Sequence, residues 1–350
     1  MTGAALPLLA HAAAPLAPFF DDPETEDVAV NGPGLAWVRR RGAWERHETP
    51  ALDFATLEGI AILSAAVRGQ DVGPFAPLLA TEAPGPGGAL LRLQACLPPA
   101  VPAGTVSLTW RRPGDGAAPL DDLPRRYRTE GWNRWDGRHA LRAAASGRVL
   151  AAFDAGDAPG FLAEAMRARL NVWLCAATGG GKTTLLKSLM REVPEGERIV
   201  TVEDAAELVV PQPNAVRLLY SHGGDGTVTA EDLMVAALRM RPDRIPLQEV
   251  RTGEAAWVYL NGIMTGHPGS PTTIHGRTPA EAFRRMFALC KGTPGGGAMD
   301  DARLARMIAD AVDAIIPLRS EAGAFRIGEV WFKDDAARRG ETAADLLARD

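Results

Sequence analysis

The chain has 350 residues, 46% of them hydrophobic and 23% charged, and a net charge of −5. That length allows two domains with separate cores, and the composition is that of an ordinary globular protein. The acidic balance excludes a generally basic nucleic-acid binder, although it leaves room for a local basic patch.

Met1 to Phe20 is rich in Ala, Leu and Pro, and the first Lys or Arg is Arg39. The charged start of a signal peptide is therefore missing, and no stretch reaches the roughly 18 uninterrupted apolar residues of a membrane span. The segment reads as a first helix packed on the domain. A peripheral membrane contact is the alternative reading, but basic residues to meet anionic lipids are absent. Val28–Val30 and Leu35–Val38 flank Asn31-Gly32-Pro33-Gly34, a hairpin signal. Phe54, Leu57, Ile60, Leu63 and Val67 fall three or four apart, as on one helix face. After an expected loop from Thr81 to Gly88, Leu91, Leu93, Ala95 and Leu97 alternate with polar or small residues. Val106, Leu108 and Trp110 do the same. These read as half-buried antiparallel strands, so residues 1–112 are expected to form a small α+β domain.

Between residues 113 and 147 Pro, Gly, Asp and Arg crowd around Tyr127, Trp132 and Trp135 without sustained periodicity. That is a linker or functional arm. Residues 148–350 then alternate. A helix over Phe153–Leu170 leads to strand Val172–Cys175 and helix Lys182–Val193. Strands are expected at Arg198–Val202, Val216–Tyr220, Arg244–Leu247, Thr272–His275 and Phe325–Phe332. Helices are expected at Ala230–Arg239, Gly253–Met264, Thr278–Cys290 and Ala302–Ala314. The alternation predicts an α/β domain whose mostly parallel sheet is covered on both faces.

Val172–Lys187 reads V-W-L-C-A-A-T-G-G-G-K-T-T-L-L-K, which is the order strand, Gly-rich loop, helix of a phosphate-binding P-loop. Gly179, Gly180 and Gly181 let several backbone N–H groups converge on one anion, and the helix adds its positive end. Lys182 is placed to reach β- and γ-phosphates, and the Thr183 hydroxyl to ligate Mg2+. Ala176 stands where the pattern usually has its first glycine, a position that accepts a methyl group if φ stays negative.

Three more clusters sit where strands should end. Thr201-Val202-Glu203-Asp204-Ala205-Ala206-Glu207 puts carboxylates at a strand tip, although alone it equally suits a helix N-cap with exposed acids. Arg239-Met240-Arg241-Pro242-Asp243-Arg244 leads through an apolar run to Glu249, an acid suited to holding magnesium through water or positioning the attacking water. Gly266 to His275 ends a strand in a histidine, which alone would be an ordinary surface residue. Convergence of four loops on one edge favours function, because ligands of open α/β sheets sit there.

With these boxes in place, the sequence resembles the hexameric traffic ATPases of type IV secretion systems, the family of the eleventh VirB component. The resemblance is carried by A-A-T-G-G-G-K-T-T at Ala176–Thr184, T-V-E-D-A-A-E-L at Thr201–Leu208 and L-R-M-R-P-D-R-I at Leu238–Ile245. It continues with E-V-R at Glu249–Arg251 and T-G-H-P-G-S into T-T-I-H, ending at His275. In the first part it extends through Asp71–Pro74, Cys96–Pro99, Gly104–Thr109 and Arg111–Pro113. The resemblance implies a RecA-like P-loop ATPase domain behind an α+β domain, acting as a homo-hexamer that binds ATP and Mg2+. It implies a cytoplasmic protein peripheral to the inner membrane, where it would meet other ATPases and inner-membrane channel proteins and drive export of DNA or effector protein and pilus assembly. The three cysteines, Cys96, Cys175 and Cys290, are too far apart for a metal knuckle and suit reduced thiols in that compartment.

Carried over, Ala176, Thr178, Gly179, Gly180, Gly181, Lys182, Thr183 and Thr184 bind nucleotide. Glu203 polarises the attacking water, Glu249 acts through magnesium-bound water, and His275 senses the γ-phosphate. Arg111 and Arg112 end the strand that closes over the nucleotide, and Arg239 and Arg241 line the cleft or a neighbouring subunit's edge. Three positions depart from the family pattern: Pro246 inside an expected central strand, Gln248 where a small residue is usual, and Pro271 before the His-box strand. A bulky Gln248 is expected to crowd the water near Glu249 and slow turnover. Rival readings are a pilus or type II secretion ATPase, whose four-cysteine zinc insertion three cysteines cannot supply, a nucleotide-gated scaffold, and a small-molecule P-loop kinase.

Overall fold

The structure is a computed structural model and describes residues 2–86, 88–112, 143–220 and 228–349. The expected linker therefore lies outside the described residues up to position 142, with Tyr127, Trp132 and Trp135. Two sheets organise the rest. Strands β1 (Thr25–Gly32), β2 (Gly34–Arg40), β3 (Ala43–Thr49), β4 (Leu78–Pro84), β5 (Leu90–Cys96) and β6 (Ser107–Arg111) form the first, in the order β3-β2-β1-β6-β5-β4, with every pairing antiparallel. Helix Phe54–Val67, capped by the Asp53 carboxylate on Thr56 N, and the N-terminal helical segment lie on one face. Leu16, Phe20, Val28, Val38, Leu57, Ile60, Leu93 and Leu108 fill the core between.

Several expectations are corrected here. The first helix is broken, with helix Thr2–Ala12 followed by short turns to Phe20, because prolines at 15 and 18 interrupt the ladder. The predicted hairpin gains a third strand, β3, whose residues are mostly exposed and so carry no apolar alternation. Thr81–Pro84 belongs to β4 rather than to a loop. The strands read as half-buried are buried on both sides, since Gln94, Cys96, Ser107 and Thr109 are as enclosed as their apolar neighbours. The second domain covers that face, and Cys96 joins its core.

The second sheet comprises β7 (Val172–Ala176), β8 (Ile199–Glu203), β9 (Ala215–Leu219), β10 (Leu247–Val250), β11 (Thr272–His275), β12 (Ala314–Glu321), β13 (Ala324–Ile327) and β14 (Trp331–Phe332). Its order is β13-β12-β7-β11-β10-β8-β9, with β14 also on β12. β12, β7, β11, β10, β8 and β9 run parallel, and β13 and β14 are antiparallel to β12. Alternate residues of β7 explain its unbroken apolar run. Val172, Leu174 and Ala176 pack with helices Ala158–Arg167 and Lys182–Met190, while Trp173 and Cys175 pack with the helices of the other face. In the C-terminal region the expected single strand Phe325–Phe332 is two strands, β13 and β14, and β13 forms a hairpin with β12 through the turn Ala322-Gly323, whose two residues are left-handed. Helix Asp301–Ala311 ends earlier than expected so that β12 can begin at Ala314.

The expected strand Arg244–Leu247 is also shifted, to Leu247–Val250. The segment before it still flanks β8, with Val200 N donating to Arg244 O at 3.2 Å and Val202 N to Pro246 O at 3.0 Å. Proline therefore forfeits only its own donor there and keeps its acceptor. Pro271 directly precedes β11, a place where no ladder donor is demanded.

The first sheet seats on the β9 edge of the second. Leu219 N donates to Ala100 O at 2.8 Å, which blunts that edge. Arg198, fully buried, spans the joint. Its guanidinium donates to Asn31 Oδ1 (2.8 Å), Asn214 Oδ1, Thr109 Oγ1 (3.2 Å) and Met240 O (2.8 Å), with the Trp44 ring 5.3 Å away. No helix among the described residues is long and apolar enough to cross a membrane. All three thiols are buried and free, and burial pushes each up to about 12, so none is a reactive thiolate.

Candidate nucleotide site

Because β7, β8, β10 and β11 are parallel, their C-terminal ends deliver the Gly-rich loop, Glu203, Glu249 and His275 to one edge of the sheet. The loop leaves β7 at Ala176 and turns through Gly179 (φ 77°) and Gly181 (φ 87°), both left-handed. Helix Lys182–Met190 starts directly after Gly181, so its free N–H groups open onto the loop. Ala176 keeps an ordinary backbone, and its methyl group sets a condition on its neighbour. A Cβ on Gly180 would lie 2.5 Å from Ala176 Cβ. The chain tolerates alanine at the first motif position because glycine stands at 180. Thr178 and Gly179 are exposed, Thr183 is half-buried, and Thr184 faces solvent.

Lys182 is buried, and its ammonium donates to the carbonyls of Ala176 (3.1 Å) and Ala177 (3.4 Å) at the mouth of the loop. Desolvation lowers its pKa, opposed by Glu249, whose carboxylate lies 3.9 Å away. Glu249 is the hub of this group. The same carboxylate meets His275 Nε2 at 3.1 Å and the Arg251 guanidinium at 2.6 and 2.7 Å. Arg251 also reaches Asp204 at 2.5 Å. In the sequence Arg251 stands out only as part of E-V-R, and its bridging role between the two acidic boxes depends on a fold-level juxtaposition. Phe325 was likewise unforeseen. Its ring occupies the space that a Cβ on Gly181 would need, 2.8 Å from that position, so β13 lies against the phosphate loop.

A local irregularity aims these side chains. Leu247 pairs with Thr272 and Val250 with Ile274, so β10 spends one residue more than β11 over the same span. Such a bulge re-aims the residues within it. Gln248 and Glu249 occupy it and point to different partners. Glu249 meets Lys182 and His275, whereas Gln248 binds the acidic loop, accepting from Asp204 N at 3.1 Å and donating to Glu207 Oε2 at 3.1 Å. The expected crowding of Glu249 by Gln248 is therefore not the arrangement found.

Glu203 has no exposed surface. Its carboxylate accepts from Thr201 Oγ1 (2.6 Å), Glu207 N (3.0 Å) and Leu208 N (2.8 Å). Burial raises its pKa above the ordinary 4.5, and those hydrogen bonds oppose the rise. A carboxyl with a raised folded value contributes stability below its unfolded pKa and loses it as pH climbs through the folded one. Glu203→Gln keeps the shape without the charge. Its Tm relative to the parent chain is expected to improve as pH rises above the ordinary 4.5; a difference that stays constant with pH in thermal melts would contradict the burial argument.

The arginines form a separate group. Arg111, Arg239 and Arg241 line one cavity of about 720 Å3 with Arg68, Arg92, Asp27 and Glu82, and no P-loop residue lines it. Arg241 is held left-handed at φ 57° and faces Asp27 at 3.5 Å. Asp27 is buried, and its pKa is raised by that burial against the pull of Arg111 and Arg241. Arg112 does not line this cavity. Its guanidinium donates to Phe20 O and Asp22 O. Arg244 is structural, fully buried on Glu197 and on Gly269 O of the His-box turn.

A family model described as type II/IV secretion system protein matches residues 151–320. The VirB11 protein of Agrobacterium fabrum is 47% identical over 335 residues, which cover 95% of this chain and 96% of that protein. The type IV secretion system protein VirB11 of Bartonella quintana is 34% identical over 91% of each. Among solved structures, the VirB11 ATPase from the Brucella suis type IV secretion system, in complex with sulphate, superimposes with a TM-score of 0.87 at 30% identity over 99% of both chains. With agreement over nearly its whole length, this chain belongs to the VirB11 family of type IV secretion system ATPases, nucleotide-binding ATP hydrolases.

Proposed function

We propose that the chain works as a homo-hexameric ring, peripheral to the inner membrane on its cytoplasmic side, in which ATP hydrolysis drives export of DNA or effector protein and pilus assembly. Its division into residues 1–112, a linker 113–147 and an ATPase domain 148–350 belongs to the same reading. The observation that carries the chemistry is the meeting of Lys182, Glu249 and His275 at the mouth of a Gly-rich loop. In this reading the backbone N–H groups of the loop from Ala176 through Thr178 to Thr184 cradle the phosphates, and Lys182 leaves its carbonyl partners for the β- and γ-phosphates. Glu203 polarises the attacking water, and His275, hinged on Glu249, reports the γ-phosphate to the rest of the sheet. Catalysis is then mainly positioning and charge stabilisation in an in-line attack.

The donors available suit Mg2+, a hard cation that prefers oxygen. The Thr183 hydroxyl and, through water, Glu249 would hold it. No group of three or more His, Cys, Asp or Glu among the described residues could hold a metal ion, so phosphate oxygens and water would complete the set. The ion, when bound, offsets charge on the phosphates.

The cavity lined by Arg111, Arg239 and Arg241 carries no P-loop residue of its own. We read it as the face offered to the nucleotide of a neighbouring copy, with Arg112 bracing its supporting strand. Mixing tests this. Lys182→Ala lacks a phosphate lysine, and Arg241→Ala lacks a cavity arginine. Each alone is expected to be nearly inactive, and equimolar mixed rings to regain turnover. Mixtures no more active than their components would confine each site to one chain. A nucleotide-gated scaffold with slow turnover is the second reading, favoured by the enclosure of Glu203.

A further inference from the structure

Four hydrogen bonds and one ion pair hold the acidic loop, residues 204–208, against Glu203 at the end of β8 and against β10. Glu207 N and Leu208 N donate to Glu203, and Gln248 grips the same loop at Asp204 N and at the Glu207 carboxylate. Arg251 holds Asp204 from the other side. Gln248 is itself 5% exposed, and its backbone is fixed by Thr273 Oγ1 donating to Gln248 O at 2.8 Å. Its amide satisfies both contacts in a single orientation, since the oxygen takes the N–H and the nitrogen gives to the carboxylate. A small residue at 248 could make neither bond.

A carboxylate that polarises water must reach that water, within about 3.2 Å or through one further water. Glu203 has no exposed surface and three donors in place. The loop must loosen before it can act. We propose that Gln248 is a positioning residue that latches the acidic loop shut over Glu203, and that opening this latch is a step of each turnover. The inference rests on the assignment of Glu203 as the water-polarising group. It also turns the expectation about Gln248 around: the side chain is engaged with the acidic loop and restrains it.

The test uses the full-length protein with Mg2+ and ATP, reading hydrogen exchange at the Glu207 and Leu208 amides alongside kcat and KM. Gln248→Met keeps the volume and removes both hydrogen bonds. Losing a hydrogen bond to a charged group shifts an opening equilibrium by about tenfold or more. Exchange at those two amides is expected to accelerate accordingly and kcat to rise severalfold, with KM unchanged. Gln248→Gly should act in the same direction if the methionine variant folds poorly. Gln248→Glu combined with Glu207→Gln reverses donor and acceptor, and should restore both slow exchange and the parental kcat. A merely structural residue would not be rescued by that exchange of groups. Unchanged amide protection in Gln248→Met, or faster exchange with a fall in kcat, overturns the latch. Glu203→Gln separates the two ideas. If it retains full turnover, the assignment of Glu203 fails, whatever the exchange data say about the loop.

Discussion

Lys182→Ala is expected to reduce kcat/KM for ATP by at least about 10²–10³, the cost of removing one preorganised donor to developing charge. The reason lies in the environment of the ammonium. It is buried, its pKa is lowered by desolvation, and its partners are two backbone carbonyls and a carboxylate at 3.9 Å. A phosphate entering the loop brings more negative charge, and at hydrogen-bond distance, than the single carboxylate at 3.9 Å supplies, so the gain on binding is large and is lost entirely with the side chain. Lys182→Arg should not rescue, because a planar fork does not replace a compact point charge on a flexible stem. Phosphate release and titration with a fluorescent nucleotide check both variants. Parental turnover in Lys182→Ala would move the active site elsewhere.

Arg198→Ala is expected to be the most damaging change outside the site, destabilising the chain by about 3–5 kcal/mol. The guanidinium is completely buried between the domains, and burial pulls its pKa down to about 10 against the pull of Asp27 and Asp243, so it remains charged at neutral pH. Removing it strands Asn31 Oδ1, Thr109 Oγ1 and Met240 O, and leaves the Trp44 ring facing a void. Asn214 keeps one partner, Asn31 Nδ2 at 3.0 Å. Arg198→Lys can serve only some of those acceptors, and should lie between the two. Urea unfolding reads the difference as a shift in midpoint. A loss below about 1 kcal/mol, the size of a surface change, would mean that water or a neighbour replaces the guanidinium.

Much of the nucleotide-binding half could be read from residue order, because a parallel sheet requires continuous apolar strands and puts its loops at one edge. Val172–Ala176 and the Gly-rich turn are legible for that reason. What escaped depends on contacts between distant segments. The bulge that separates Gln248 from Glu249 leaves no trace in composition, since it is a mismatch of register with β11. β3 carries Glu, Arg and His on an exposed edge, so its pairing with β2 shows no periodicity. The site residues divided in the same way. Lys182, Glu249 and His275 meet because parallel strands align them, whereas Arg112, just past β6, donates to the carbonyls of Phe20 and Asp22, some 90 positions away, a contact no motif describes.

The two-sided burial of the first sheet also bears on synthesis. Gln94, Cys96, Ser107 and Thr109 are covered by a domain that follows them in the chain, and Cys96 touches Met240. A ribosome adding about 5–20 residues per second needs roughly 6 to 26 seconds to travel from position 112 to position 240. Throughout that interval the nascent first domain carries an open, partly apolar sheet face. Its cover is made last, so the early half of this protein depends on the late half for protection from aggregation while both are still being made.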